Sequence, residues 1–582
     1  AQPIDAALHA LVRLDVEFGP RVPPGSAGAN AILSPDGRRL AFATFGSDGK
    51  THLFARWLDR SNASELAGTE GAYAPFFSPD GQWIGFFANG KLKKIPADGG
   101  AATPLCDAPL GRGASWGEDG GIVLTPDLQS RLLRISSSGG NAPVPVTAFG
   151  PGEISHRWPQ ILPGGKAVIF TSLTAANFAA FDEATIQVVS LQNGQRKTLL
   201  QGGSYGRYLA SGHMLYVRNG TAFAVPFDVD RLETRGTPVP VLEGVANVPN
   251  SGAAQLDVSA GGTLVYESGT DQRQTIQWLD ATGKLEPLLA KPAFYLWIRF
   301  SPDGSRLVYR VVEGASNHLW IYDWQRGTET RLTTDSTIHN SPTWSADGRY
   351  IAYQGEGGVF FIAADGAGKP LPLFKAPNSP YPESFSADGR WLAFSAPNPV
   401  SGDMDIWTAP LADAGHELRA GTPEPFVHTL ALERDAAFSP DGRWLAYTST
   451  ESGTYQAYVR AFPGTPFGSG SRWQISNTGG LQPLWSQNGH ELFYRSTDNR
   501  IMVVTYATRG DAFVAEKPRV WAERQVWAAG AGGVLDIAPD GKRFAVLIPA
   551  AATGPDAQES RHHVTLVLNF FDELRRLLPV KK

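Results

Sequence analysis

One short phrase returns along the whole chain and limits its fold more than any other feature. Clear copies begin at Leu33 (LSPDGRRLAF), Phe77 (FSPDGQWIGF), Phe300 (FSPDGSRLVY), Trp344 (WSADGRYIAY), Phe385 (FSADGRWLAF), Phe438 (FSPDGRWLAY), Trp485 (WSQNGHELFY) and Ile537 (IAPDGKRFAV). Worn copies begin at Trp116 (WGEDGGIVL), Ile161 (ILPGGKAVIF), Tyr208 (YLASGHMLYV) and Asp257 (DVSAGGTLVY). A unit recurring about every 40 to 50 residues points to a propeller, a solenoid or a repeat array.

The phrase reads physically as a hairpin. An aromatic or aliphatic residue ends one strand, Ser-Pro-Asp-Gly reverses the chain, and an alternating run such as Arg443-Trp444-Leu445-Ala446-Tyr447 begins the next. Proline presets φ, Asp bonds its own backbone, and Gly supplies the positive φ of a tight reversal. Further short strands lie between copies, such as His318 to Tyr322 and Thr330 to Thr333, which gives about four strands per repeat, the content of a propeller blade. The 64 Gly and 43 Pro among 582 residues are spread evenly, and 16 Trp with 30 Phe supply core, so the class is globular and all-β. Twelve repeats overfill a ring of four to eight blades. Two six-bladed propellers in tandem divide them best: an N-terminal extension over 1–19, a first ring over 20–290 and a second over 291–582.

The ends carry closure signals. Leu14 to Phe18 and His563 to Leu568 alternate like strands and belong to no complete repeat. A ring is commonly closed by pairing a strand from one terminus into the blade formed by the other. If these two segments share a blade, the division near residue 290 must be redrawn. Asn569 to Leu578 has helical spacing, with Phe570, Leu574 and Leu578 facing protein and Arg575 and Arg576 facing water.

A single cysteine, Cys106, excludes an internal disulfide framework. The chain opens Ala1-Gln2-Pro3 without an initiator Met, as a processed or truncated product would, and no run approaches the ~18 apolar residues of a membrane span, so any anchor is expected upstream. A formal charge of -5 and the lack of a Lys/Arg block argue against nucleic acid as the main partner.

Stretches outside the generic phrase carry a family resemblance. They are Gly68-Thr-Glu-Gly-Ala72 leading into Phe76 to Asp80, Trp83 to Phe87 running into Gly90 to Lys94, Ser155-His-Arg-Trp-Pro159 and Phe227-Asp-Val-Asp-Arg231. Tyr458 to Pro463, Trp473 to Ser476, Gly479-Gly480 and Glu491 to Tyr494 follow in the same order. On these, the chain resembles the TolB-like propellers, and within them the extracytoplasmic propeller regions of bacterial transmembrane serine/threonine kinases, from about Val12 to Leu578. The resemblance implies a periplasmic or secreted module; because such rings also occur in transport accessories, peptidases and polysaccharide lyases, it specifies fold more than activity.

No Gly-rich loop with a Val-Ala-Ile-Lys strand, no His-Arg-Asp loop and no Asp-Phe-Gly is present, so phosphoryl transfer is not a property of these residues. Gly202-Gly-Ser-Tyr-Gly206 matches the nucleophile-elbow pattern, but Tyr208 to Tyr216 after it is a repeat hairpin rather than a helix, which makes Ser204 a decoy. His562 and His563 are neighbours on a strand and point to opposite faces. Asp403-Met404-Asp405 starts like a calcium loop but continues as a strand without the required Gly and Glu. No cofactor or metal site emerges.

Strands entering the hairpins are expected to bring Tyr73, Arg112, His156, Arg207 and Gln255 toward one channel. Arg299, His339, Glu383, Arg434, Asp435, Gln482 and Asp536 are expected in the other. The plain reading is a set of mutually paired channel groups, with His156 a satisfied histidine packed by Trp158; the sharper one is an anion or carboxylate-bearing ligand near the arginines. Two function classes follow. One is a non-catalytic module binding protein, peptide or glycan at a propeller face; the other is a propeller lyase or hydrolase using channel His, Arg and Glu residues.

Overall fold

The computed structural model describes residues 9–20, 28–46, 50–174, 181–248, 251–269, 273–313, 316–335, 339–376, 380–398, 404–413, 418–462, 472–509, 512–526, 533–550 and 561–579. Within them the chain is built of short antiparallel strands, most in four- or five-stranded sheets, with one α-helix, Phe570–Leu577. It divides into two compact units, Ala1–Asp271 with Asp556–Lys582, and Gln272–Pro555.

Most repeats make a sheet of their own, while the strand Leu285–Phe300 joins the repeats at Phe300 and Ile537 in one seven-stranded sheet. The first runs Ala31–Leu33, Arg39–Phe45, Thr51–Trp57, Ser64–Glu65, each strand paired to the one before it. In unit 1 the innermost strands are Ala31–Leu33, Tyr73–Phe77, Ala114–Trp116, Glu153–Ile161, Ser204–Leu209 and Leu256–Val258. They touch in cyclic order, with the short Ala253–Ala254 strand between the last two. In unit 2 the C-terminal half of Leu285–Phe300 is followed by Asn340–Trp344, Tyr381–Phe385, Glu433–Phe438, Leu481–Trp485 and Leu535–Ile537, and the last touches the first. Both units are therefore closed radial arrangements of sheets. The core is correspondingly a set of apolar layers between neighbouring sheets, such as Val308, Leu319 and Ile321 against Trp344, Ile351 and Tyr353. Burying such side chains contributes about 1.5–3 kcal/mol each.

The Ser-x-Asp-Gly turn is a self-contained hydrogen-bonded unit in which the serine has a role that sequence reading gave to the other residues. Ser439 Oγ donates to Asp441 at 2.5 Å and accepts the Trp444 N–H at 3.0 Å, while Asp441 accepts the Arg443 N–H at 3.1 Å. Ser34 with Asp36, Ser301 with Asp303, and Ser386 with Asp388 repeat the pattern. The Ser34 hydroxyl, then the Arg38 N–H, hold the Asp36 carboxyl below its usual range. The glycine takes φ near +70°, for example 71° at Gly37 and 68° at Gly442, which an L side chain rarely adopts.

Closure corrects the expected division at 290. Val12–Pro20 pairs with Arg561–Leu568, which pairs with Leu264–Tyr266, so strands from both chain ends complete the sheet of the last unit 1 repeat. Unit 2 closes alike: Gln274–Asp280, expected in the first ring, pairs with Arg543–Pro549. The C-terminal strand and helix, expected in the second ring, accordingly belong to unit 1. Phe570, Phe571 and Leu574 are buried, while Arg575 and Arg576 pair with Asp572 and Glu573 at 2.8 and 2.6 Å. Backbone pairing requires two edges in register, which linear order along the chain does not reveal.

Candidate functional site

A repeated bulge positions the channel-facing side chains. Three residues before the phrase, the backbone takes positive φ at Ala74, Trp158, Tyr205, Trp297, Ser341, Asp435 and Gln482, between 46° and 61°. The register slips there: Tyr73 opposes Phe87 while Phe76 opposes Gly85, so three steps on one strand match two on the other. Tyr73 and Phe76 thus share a face, and alternation counted straight back from the phrase fails.

All six innermost strands of unit 1 contribute to a cavity of ≈ 410 Å³ at the phrase end of its channel. Its wall is aromatic and proline-rich, with Phe76, Trp116, Tyr205 and Tyr208 joined by Pro35 and Pro79. Arg207 stacks at 4.0 Å on the Tyr205 ring, and its Nη1 donates to the Trp158 and Gly206 carbonyls, both at 3.0 Å. Asp257 accepts the Leu33 N–H at 2.8 Å. Burial raises its carboxyl above the usual range, opposed by the Leu33 and Val258 N–H groups and by Arg207. Glu118 is exposed at the same cavity.

Other polar side chains of this layer stitch sheets together. Ser115 Oγ accepts the Ile161 N–H at 2.9 Å, and Gln160 accepts the Tyr208 N–H at 2.5 Å while donating to the Tyr208 carbonyl at 3.1 Å. Each acceptor precedes a phrase, and each donor opens the phrase of the next sheet. With those edges engaged, the cavity offers aromatic surface, one cation and two carboxyl groups.

Of the five channel residues expected in unit 1, Arg207 alone lines this cavity. Tyr73 accepts the Gly111 N–H at 3.1 Å and stacks on Phe87 at 5.6 Å, and burial pushes its phenol up to about 12. Arg112 donates to the Gly111 carbonyl at 3.0 Å. Gln255 bridges the Asn30 N–H and the Gly28 carbonyl at 2.7 and 2.8 Å. His156 is fully enclosed, with Nδ1 2.8 Å from Thr147 Oγ1 and Nε2 3.1 Å from Glu153. Its packing partners are Phe149 and Phe170, not Trp158 as expected, because the bulge turns Trp158 toward the cavity. Burial lowers the affinity of His156 for a proton. Burial would raise Glu153, but bonds from His156, Arg196, Ser172 and Gly150 outweigh it and hold that carboxyl well below its usual range.

In unit 2 the expected residues form a chain of inter-sheet bonds. Glu383 accepts Ser395 Oγ and the Asp435 and Ala436 N–H groups at 2.5, 2.9 and 2.6 Å, and burial followed by the Asp435 charge pushes it up to about 7. Asp435 receives Arg434 Nε at 3.3 Å, Thr448 Oγ1 at 3.1 Å and the Gln482 N–H at 3.2 Å. Gln482 donates to the Leu535 carbonyl at 2.8 Å. Asp536 accepts the Phe300 N–H at 2.7 Å beside Arg299, whose Nη1 reaches the Ile298 carbonyl at 3.1 Å. Burial pushes Asp536 up to about 6 against that arginine. His339 stands apart, fully buried between the Asn317 carbonyl at 2.9 Å and Asp335 at 3.0 Å.

Ser204 is buried at the start of strand Ser204–Leu209 and donates to the Gly252 carbonyl at 3.0 Å, with a hairpin rather than a helix after it. Asp405 is buried and bonded by Asn398 at 2.7 Å, while Asp403 and the His562 side chain lie outside the described residues. Among the described residues no three His, Cys, Asp or Glu side chains converge as metal ligands, and no helix is long and apolar enough to cross a membrane.

No family model matches the chain. An uncharacterized protein of Agrobacterium fabrum is 26% identical over 249 residues, 40% of this chain and 78% of the relative. An uncharacterized peptidase of Bacillus subtilis, YuxL, is 20% identical over 196 residues, which span 27% of this chain and 30% of the peptidase. Among solved structures, an Agrobacterium tumefaciens protein described as a TolB matches with a TM-score of 0.37 and 18% identity over 47% of this chain and 97% of its own. The tricorn protease matches with a TM-score of 0.30 and 12% identity over 95% of this chain and 63% of its own.

Proposed function

We propose that this chain is a non-catalytic interaction module whose binding site is the unit 1 cavity, and that its ligand is a peptide or protein segment carrying an aromatic or proline residue beside a charge. The observation that carries this reading is the ≈ 410 Å³ cavity into which six strands deliver Phe76, Trp116, Tyr205 and Tyr208 around Arg207 and Asp257. Concave aromatic surface with few placed charges is what peptide ligands use, and aromatic anchors with Arg dominate binding energy at such sites. The lyase or hydrolase alternative draws no support from the histidines it needs, because His156 and His339 are both fully enclosed.

Extracytoplasmic placement and the association with receptor-type serine/threonine kinases remain part of this proposal and rest on the resemblance of the long stretches between Gly68 and Tyr494. Selection of a random peptide library on the intact chain tests the binding reading. Peptides enriched on the wild type should bind Phe76→Ala and Arg207→Met at least about tenfold more weakly, since one aromatic anchor contributes about 2 kcal/mol. Equal binding to both variants, or enrichment of no peptide, contradicts it.

A further inference from the structure

Arg310 is the most anomalous charged group in unit 2. It lies on strand Arg306–Glu313 opposite Leu296, is 0% exposed, and none of Nε, Nη1 or Nη2 has a hydrogen-bond partner. Its guanidinium stands 5.1 Å from the centre of the Trp297 ring, which covers a face of the planar group and uses none of its N–H bonds. Burial pulls its pKa down to about 9, which leaves it charged at neutral pH. An uncompensated buried charge costs several kcal/mol.

The register of two other repeats shows a role that this position takes. Thr171, opposite Arg157, accepts the N–H of Tyr205, the positive-φ residue of the next sheet, at 3.1 Å. Thr448, opposite Arg434, does the same for Gln482 at 3.2 Å. Arg310 holds the equivalent place before Ser341, whose φ is 48°. An arginine has five donors and no acceptor, so a donor faces the place where those two repeats present an acceptor. In the following sheet Asn340 Nδ2 donates one hydrogen bond to Gln354 Oε1 at 2.8 Å, which leaves Asn340 Oδ1 and Gln354 Nε2 without a partner, both side chains being buried.

We propose that unit 2 encloses one small monovalent anion, chloride or a carboxylate of formate or acetate size, held by the Arg310 fork above the Trp297 ring. A water molecule would accept hydrogen bonds but leave the charge uncompensated; an anion does both. Full burial limits the occupant to a few atoms, and the Ser341 N–H supplies a second donor by the repeat equivalence.

The test uses the intact chain at constant ionic strength, with gluconate, too large for the site, replaced stepwise by chloride or by formate. The unfolding midpoint of the wild type should rise by about 2–5 °C in whichever anion binds, and Arg310→Met should show no such rise. The anion that produces the rise distinguishes the two sources. No rise in either, or an equal rise in the variant, overturns the proposal. Should Arg310→Met fail to fold, crystals of the wild type grown in bromide or formate decide: an anomalous peak or trigonal density at the guanidinium supports the site, and a lone water there overturns it.

Discussion

Asp257 accepts the backbone N–H of Leu33 at 2.8 Å, and this bond ties the last sheet of unit 1 to the first across 224 residues. Asp536 repeats the device in unit 2, reaching the Phe300 N–H at 2.7 Å. Asp536 stands directly before its phrase, as Ser115 and Gln160 do where they stitch other neighbouring sheets, and Asp257 opens the worn copy DVSAGGTLVY. The repeat therefore encodes its own inter-sheet fastening, and at ring closure that fastening is a carboxyl group.

The Asp536 fastening makes stability pH-dependent. Its folded pKa of about 6 lies above the ordinary 3.8, so the folded protein binds the proton more tightly. That contribution is fully present below pH 3.8 and is lost as pH rises through about 6. Relative to Asp536→Asn, the wild type should lose about 2–2.5 kcal/mol of stability between pH 4 and pH 7. Urea titrations of both proteins across that range measure it, and a difference independent of pH would show that Asp536 keeps an ordinary pKa.

The serine of the turn should matter as much as its glycine. Ser439→Ala removes the donor to Asp441 and the acceptor of the Trp444 N–H, at a site 1% exposed. A loss of about 1–2 kcal/mol in urea denaturation is expected, against almost none for Ser61→Ala on the surface.

Gly85 sets the shape of the cavity wall. A Cβ there would lie 2.2 Å from Phe76 Cζ, so the ring can rest on the opposite strand only because no side chain is present. Gly85→Ala should displace Phe76, cost about 1–3 kcal/mol and weaken whatever peptide the cavity binds. Unchanged affinity with the expected instability would separate Phe76 from the site.

Ring closure by both termini predicts a separable failure. Val564 is 0% exposed and packs with Val16, Leu40 and Phe42. Val564→Asp should cost more than about 4 kcal/mol in unit 1 by burying an unpaired charge. Calorimetry should then show a low-temperature transition for unit 1 with that of unit 2 in place; loss of both together would contradict the division into two units.

What the sequence showed and what it hid have one physical boundary. The phrase is local chemistry, so its turns, the strands around it and the closing segments Leu14 to Phe18 and His563 to Leu568 could be read directly. Which side chains face the channel depends on the bulge, and Ala74, Trp158 and Tyr205 adopt positive φ without the glycine that normally announces it. Gly113, at the same place before Trp116 with φ 95°, was the available signal. Taking residues from the strands that enter the hairpins, without the bulge, selected Tyr73 and Arg112 and missed Tyr205, Gln160 and Asp257. Arg310 was out of reach for another reason: a lone arginine in a strand is ordinary, and only packing shows that its hydrogen bonds go unanswered.

Unit 1 is proposed to bind its ligand in the cavity at the phrase end of the channel. Hydrogen–deuterium exchange on the intact chain, with and without a peptide selected on it, tests this most directly. New protection is expected in residues 74–79, 113–118 and 205–210, on three different innermost strands, with little change in the outer strands. Protection confined to unit 2 or to outer strands such as Ser64–Glu65 and Thr103–Asp107 would contradict it.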